Sequence, residues 1–223
     1  LLGFGYFQLE DYENFLKTNE LLVTRWPKKR YWMNVAHAHR ELDNEAEFVA
    51  TYEVAHVQGM LTSESELVTM AQLYMQSDVP LKAAQLLEAA IESGSVSSSS
   101  KSLRLLAQAW SLAQEDEKSL APLSEAATLD DDGELFVRLG NALLSLDRNG
   151  ECVVAAKNGI EKGNLNNPDY AQLTLGICLF NLQQYRNSMI AFRRAEEVSR
   201  SRSVARQWIK TIELELKRLR ELE

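Results

Sequence analysis

The sequence predicts an all-α chain, a solenoid of stacked helical hairpins closed by a C-terminal capping helix. Three observations predict it. First, a bulky apolar residue followed by a small one recurs at Leu2-Gly3, Val35-Ala36, Met70-Ala71, Leu106-Ala107, Leu139-Gly140 and Leu175-Gly176. The gaps between successive dyads are 33, 35, 36, 33 and 36 residues. A period in that range marks units too small to bury their own apolar faces, which must stack on neighbours. Second, the apolar residues around each dyad follow the helical spacing i, i+3, i+4, i+7. Third, four prolines and ten glycines in 223 residues are few enough to leave helix throughout.

The units are read in order from this spine. Residues 1–28 form a truncated repeat: Gly3 and Tyr6, then Tyr12, Phe15 and Leu22, closing at Pro27. Residues 29–63 set the ruler. Trp32, Val35, Ala36 and His39 share one helix face; a polar turn at Leu42-Asp43-Asn44 follows, then Phe48, Tyr52 and Ala55. The small dyad residue lets the paired helices approach. Residues 64–99 repeat this with Leu67, Met70, Ala71 and Tyr74, a turn at Ser77-Asp78, then Ala83, Leu87 and Ala90. Pro80 suits the first turn of that second helix, where its missing N–H is no loss. Residues 100–132, 133–168 and 169–202 make three further repeats. Two places resist the pattern. Pro122 falls inside an expected helix, where a proline costs about 3 kcal/mol, so that helix is predicted to start late, near Lys118, or to kink. The Ser-rich run from Ser93 to Ser102 reads as a mobile connection, with Gly94 ending the preceding helix. Residues 203–223 are predicted as the capping helix. Ser203 is its N-cap, and Ala205, Trp208, Ile209, Ile212, Leu216 and Leu219 form its apolar stripe.

Composition narrows function. A net charge of −8 argues against a nucleic-acid groove, which needs clustered Lys and Arg, and weakly against an anionic membrane surface. No apolar run approaches the roughly 20 residues that cross a bilayer, so membrane insertion is not expected. The opening residues, Leu1 to Tyr6, fall mid-repeat. The sequence therefore reads as a fragment, and the lack of a visible signal peptide carries no information. Cys152 and Cys178 are too few for a disulfide scaffold. Buried thiols are the favoured reading, with a disulfide or reactive pair as the alternative.

No catalytic constellation is visible, and neither a cofactor nor a metal is expected. His37 and His39, two residues apart, point to different sides of a helix, and His56 belongs to another helix. Gly-rich phosphate loops and Cys-x2-Cys pairs are missing. The run Asp130-Asp131-Asp132-Gly133-Glu134 has a calcium-loop composition without the alternating ligand spacing. A carboxylate-rich helix N-terminus explains it better.

The repeat positions resemble the tetratricopeptide repeat, whose pattern runs W-x2-L-G-x2-Y, then A-x3-F, then P. The resemblance covers residues 1 to about 200, although Trp fills the first position only at Trp32 and Asn19 replaces an aromatic in the first unit. It implies a right-handed superhelix whose first helices line a concave, peptide-binding groove. Carried onto this sequence, one groove row is His37, Gln72, Gln108, Asn141 and Ile177. The other is Asn34, Thr69, Leu105, Arg138 and Thr174, with Arg104 beside it. The chain departs from the two-carboxylate clamp of chaperone-tail-binding members. A narrower resemblance rests on YWMNVAHAHREL (31–42), MAQLYMQSDVPLKAAQLLEAAIE (70–92), LRLLAQAWSLAQEDEKSLAPLSEAA (103–127), DDGELFVRLGNALLSLD (131–147) and LGICLFNLQQYRNSMIAFRRA (175–195). Together with ARQWIKTIELE (205–215), these stretches resemble the tetratricopeptide proteins encoded with TonB energy-transduction systems. That resemblance implies a non-catalytic periplasmic adaptor binding a protein or peptide partner, TonB-complex components among the candidates. The alternative is a generic cytoplasmic scaffold or co-chaperone.

Overall fold

The computed structural model describes residues 2–222, and their side chains from 3 to 221. Leu1, Glu223 and the side chain of Leu2, first member of the first dyad, lie outside the described residues. All regular structure among the described residues is α-helical. The chain divides into two compact units, residues 1–98 and 99–223, at the Ser-rich run.

The first unit contains α1 (Leu2–Gln8), α2 (Tyr12–Arg25), α3 (Lys29–Glu41), α4 (Glu45–Val57), α5 (Glu64–Gln76) and α6 (Pro80–Glu92). They pack as the hairpins α1–α2, α3–α4 and α5–α6, with α2 on α3 and a thinner seam between α4 and α5. The second unit contains α7 (Ser100–Leu112), α8 (Asp116–Leu129), α9 (Glu134–Ser145), α10 (Asn149–Lys162), α11 (Pro168–Asn181), α12 (Tyr185–Glu196) and α13 (Arg202–Leu222). Here the hairpins are α7–α8, α9–α10 and α11–α12. Helices α8 and α10 pack on α9 and α11, and α13 lies on α12.

Every hairpin turns the same way. One residue in each turn adopts positive φ: Glu10, Asp43, Asp78, Gln114, Asp147 and Gln183, at 55° to 61°. Each stands seven residues after the small member of its dyad, so the dyad fixes the turn. A left-handed residue lets the chain reverse after the first helix. None of the six is glycine, although side-chain-bearing residues adopt this conformation at a cost.

From the second onward, the dyads lie in the core. Val35, Ala36, Met70, Ala71, Leu106, Ala107, Leu139 and Leu175 are all buried. Their small members differ in how much room they have. A Cβ on Gly176 would sit 2.8 Å from the Phe192 ring, whereas one on Gly140 would meet its nearest neighbour at an ordinary 3.5 Å. The tightest crossing of α9 and α10 lies elsewhere, where Gly159 faces Gly133 and Val137.

Three local expectations change. Helix α8 begins at Asp116 and runs through Pro122 instead of starting near Lys118. Pro122 is buried, so its packing offsets the lost bond to the Lys118 carbonyl. The Ser-rich run is pinned along its length: Ser93 bonds the Ala90 carbonyl and Ser97 donates to Glu64. Ser99 and Ser102 form the capping box of α7, and Val96 is buried. Gly94 ends α6 with φ +74°, as expected. Helix α13 starts at Arg202, so Ser203 lies within its first turn and Ser201 precedes it. The stripe packs as far as Leu216: Ala205 and Ile212 are fully buried with Phe192 and Ala195, and Trp208 stacks on Phe192 at 5.4 Å, whereas Leu219, expected in the stripe, is exposed.

The cysteines take the less favoured reading. Cys152 of α10 and Cys178 of α11 form a disulfide, with Cα atoms 6.2 Å apart. It ties the second helix of one repeat to the first helix of the next.

Candidate functional site

In the first unit the groove residues divide into structural links and available groups. Asn34 on α3 donates to Asn19 on α2 at 2.9 Å. Asn19 is 1% exposed and donates to the Phe15 carbonyl. The Asn19 that breaks the aromatic pattern is therefore the buried acceptor that fixes Asn34. Thr69 turns back to the Ser65 carbonyl of its own helix. Gln72 is exposed. His37 stands edge-on to Phe7, with ring centroids 5.4 Å apart, and lies nearly parallel to Tyr12 at 6.2 Å. Its shielded Nδ1 is 3.7 Å from Glu41, beyond hydrogen-bond reach.

These links frame a recess of about 520 Å³ on the faces of α1 and α3, with Phe15 and Asn19 at its base. Phe4, Phe7, Arg30 and Tyr31 line it together with Asn34 and His37. Phe4 is 64% exposed, and the Arg30 guanidinium lies 4.5 Å over the Tyr31 ring. Sequence reasoning missed these four. The signal was present: Phe4 occupies the same repeat position as His37, one residue after the small dyad member.

In the second unit Arg104, Gln108 and Arg138 project to solvent. Arg138 makes no ion pair or hydrogen bond among the described residues. Asn141 behaves otherwise. It donates to the Val137 carbonyl at 3.0 Å and accepts from Thr174 of α11 at 2.9 Å. Thr174 is 2% exposed, so this pair is an inter-repeat tie, not an open amide. Leu105 is half-buried, and Ile177 packs against the α12–α13 core.

Several carboxylates and the Tyr74 hydroxyl are shifted from their ordinary values. In the first unit burial alone pushes Glu66 upward. The Lys29 ammonium 2.5 Å away and the Ser63 and Thr62 N–H groups more than offset it, holding the carboxyl at about 2. Burial, then Glu53, raises Tyr74 to about 12. The Lys82 ammonium, 2.6 Å from Glu53, keeps that carboxylate low. In the second unit Asp169 is held well below the usual carboxylate range, chiefly by Arg200, with Ser201 also donating to it. Asp130 is lowered by the Ser100 hydroxyl, and Asp132 accepts from the Glu134 N–H at the start of α9. No group of three His, Cys, Asp or Glu among the described residues is placed to hold a metal. Among the described residues, no helix is long and apolar enough to cross a membrane. The arrangement offers surfaces for recognition, with shape, amides and arginines as its chemistry.

The hairpins define the class of fold: it is the tetratricopeptide-repeat fold, as the dyad period implied. Solved structures agree. The chain is similar to the crystal structure of MamA, at 16% identity and TM-score 0.57, over 74% of this chain and 88% of that one. It is similar to YrrB, described as a TPR protein with an unusual peptide-binding site, at 15% identity and TM-score 0.58 over 74% and 83%. The C-terminal part of a TPR repeat-containing protein from Cytophaga hutchinsonii matches at 10% identity and TM-score 0.57, over 87% and 77%. No family model matches the sequence, and no curated protein does.

Proposed function

We propose that the chain is a non-catalytic protein-interaction scaffold that holds a polypeptide partner on the first-helix faces of its hairpins. The observation that carries this reading is Arg138. It stands exposed and unpaired on α9 of a chain with net charge −8. A guanidinium kept clear of the many available carboxylates suits an external acidic group, which it can grip with two parallel bonds. Exposed Gln108 and Arg104 in the same unit add donors for an extended main chain. The peptide-binding site named for YrrB belongs to a protein of the same fold, which supports the class of ligand.

The partner is a component of a TonB-dependent transport system, and the protein is its periplasmic adaptor. This rests on the resemblance in sequence stretches and on the Cys152–Cys178 disulfide, since disulfides persist in oxidising compartments such as the periplasm and are rare in the cytosol. The test is affinity capture from a native envelope extract with the wild-type chain and Arg138→Ala/Arg104→Ala. We expect TonB-complex proteins to be captured by the wild type and depleted with the variant, at unchanged melting temperature. Undiminished capture by the variant moves the site off these faces, and capture without TonB components removes the transport assignment.

A further inference from the structure

The second unit holds another recess, away from the groove rows, of about 660 Å³. That is within the range of about 300–1,000 Å³ typical of ligand pockets. Gln172 of α11, the turn at residues 163–167 and the end of α12 surround it. Gln172 is only 9% exposed, yet its Oε1 is sealed from solvent without a hydrogen bond. Its Nε2 has no partner among the described residues either. Buried polar groups are rarely left so, because each forfeits its hydration without return. At the rim, Arg194 and Glu197 lie three residues apart at the end of α12. Both are exposed, and neither pairs with the other or with any described residue. Ile160, Leu165 and Val198 give the walls an apolar lining.

The frame is rigid where it matters. Asp169, one turn before Gln172, is clamped by Arg200 and Ser201. Gly163 and Asn164 hold the turn in left-handed conformations, at φ +78° and +52°. The backbone of the recess is thus preformed, with an unsatisfied amide sealed beneath its floor that meets a ligand by turning its side chain, and two free charges of opposite sign at its mouth.

We propose that this recess binds an extended peptide segment carrying one acidic and one basic side chain, with the Gln172 carboxamide pairing to its main chain. In an extended residue the N–H and C=O point to the same side, the geometry two strands use to exchange a pair of bonds. A carboxamide turned toward the recess accepts from one and donates to the other, and so gains the partners it lacks. Arg194 takes the acidic side chain with charge-assisted bonds, and Glu197 takes the basic one. Recognition then depends on the order of the two charges along the peptide.

The test uses the full chain, isotopically labelled, titrated with two blocked tripeptides, acetyl-Asp-Ala-Lys-amide and acetyl-Lys-Ala-Asp-amide, at millimolar concentration. The expected result is a saturable shift of the Gln172 side-chain amide signals, tighter for one order than for the other. Gln172→Met, similar in length but lacking the amide, abolishes that binding. Because a core variant can disturb packing, the surface swap Arg194→Glu/Glu197→Arg is run beside it, and it inverts the preferred order. Arg138→Ala leaves the titration unchanged. An absent shift, an equal shift with acetate and methylammonium, or a preference that survives the swap overturns the proposal. So does loss of binding in Arg138→Ala, which would place the peptides on the first-helix face.

Discussion

Replacing Gly159 by alanine isolates the α9–α10 crossing, and Gly140→Ala is its internal control. A methyl on Gly159 would lie 2.8 Å from a Val137 methyl, 2.9 Å from the Gly133 carbonyl oxygen and 3.2 Å from the Val137 nitrogen. Two of the three obstacles are backbone and cannot rotate away. Overpacking of this kind costs about 1–3 kcal/mol, against about 0.5–1 kcal/mol gained by removing a helical glycine. A net loss of up to about 2.5 kcal/mol is expected. At Gly140 the nearest atoms, on Ala156, Cys152 and Thr174, stand at 3.5–3.6 Å, so only the gain remains. The two variants should therefore differ by about 1–3 kcal/mol in opposite senses. At about 2–4 °C per kcal/mol for a chain of this size, thermal unfolding by circular dichroism resolves that difference. Hydrogen exchange of α9 and α10 amides locates it, since repeat contacts are local. Equal stabilities for Gly159→Ala and Gly140→Ala would refute the close crossing.

The hairpin turns predict a gain: Gln114→Gly and Gln183→Gly each relieve a left-handed cost of about 1–2 kcal/mol, less about 0.4–1 kcal/mol of added unfolded-state freedom. Each should stabilise, the double variant additively, and a lowered urea midpoint would contradict the turn geometry. Reducing Cys152–Cys178, which closes a loop of sequence separation 26, should cost the second unit about 3 kcal/mol; thiol titration of the native protein should find no free cysteine before reductant. Stability should fall in acid: Glu66, depressed from 4.5 to about 2, contributes above its unfolded value and loses that contribution as pH drops through the folded one. Urea midpoints should therefore decline between about pH 4.5 and 2, and Glu66→Gln should flatten that dependence. Asn141→Ala should lower the melting temperature by breaking the Thr174 tie, at a cost of about 1 kcal/mol. Arg138→Ala should leave it unchanged, so a variant at 141 cannot by itself report on partner binding.

The contrast between Asn141 and Arg138 marks the limit of what the sequence discloses. The dyads disclose the helices, their pairing and, by a fixed offset, the turn inside each hairpin, because those depend on local spacing. Whether an amide at a groove position faces outward depends on the residue one repeat away. Asn141 is spent because Thr174 lies 33 residues on, and Asn34 because Asn19 lies 15 back. The same holds for the cysteines, whose azimuths about two different helices decide whether the sulfurs meet. Helix ends were nearly legible. Ser203 reads as the N-cap of the last helix, which in fact starts one residue before it, at Arg202.

The cross-link between α10 and α11 has a mechanical consequence. Pulled from its two ends, an array of hairpins pays out length one repeat at a time. Here the segment bounded by Cys152 and Cys178, sequence separation 26, is withheld from the load path. At about 3.4 Å per residue, roughly 90 Å of chain stays hidden at any force below covalent rupture. Tension passes through the sulfur bridge instead, so a scaffold strung between moving partners would stretch in its other repeats first.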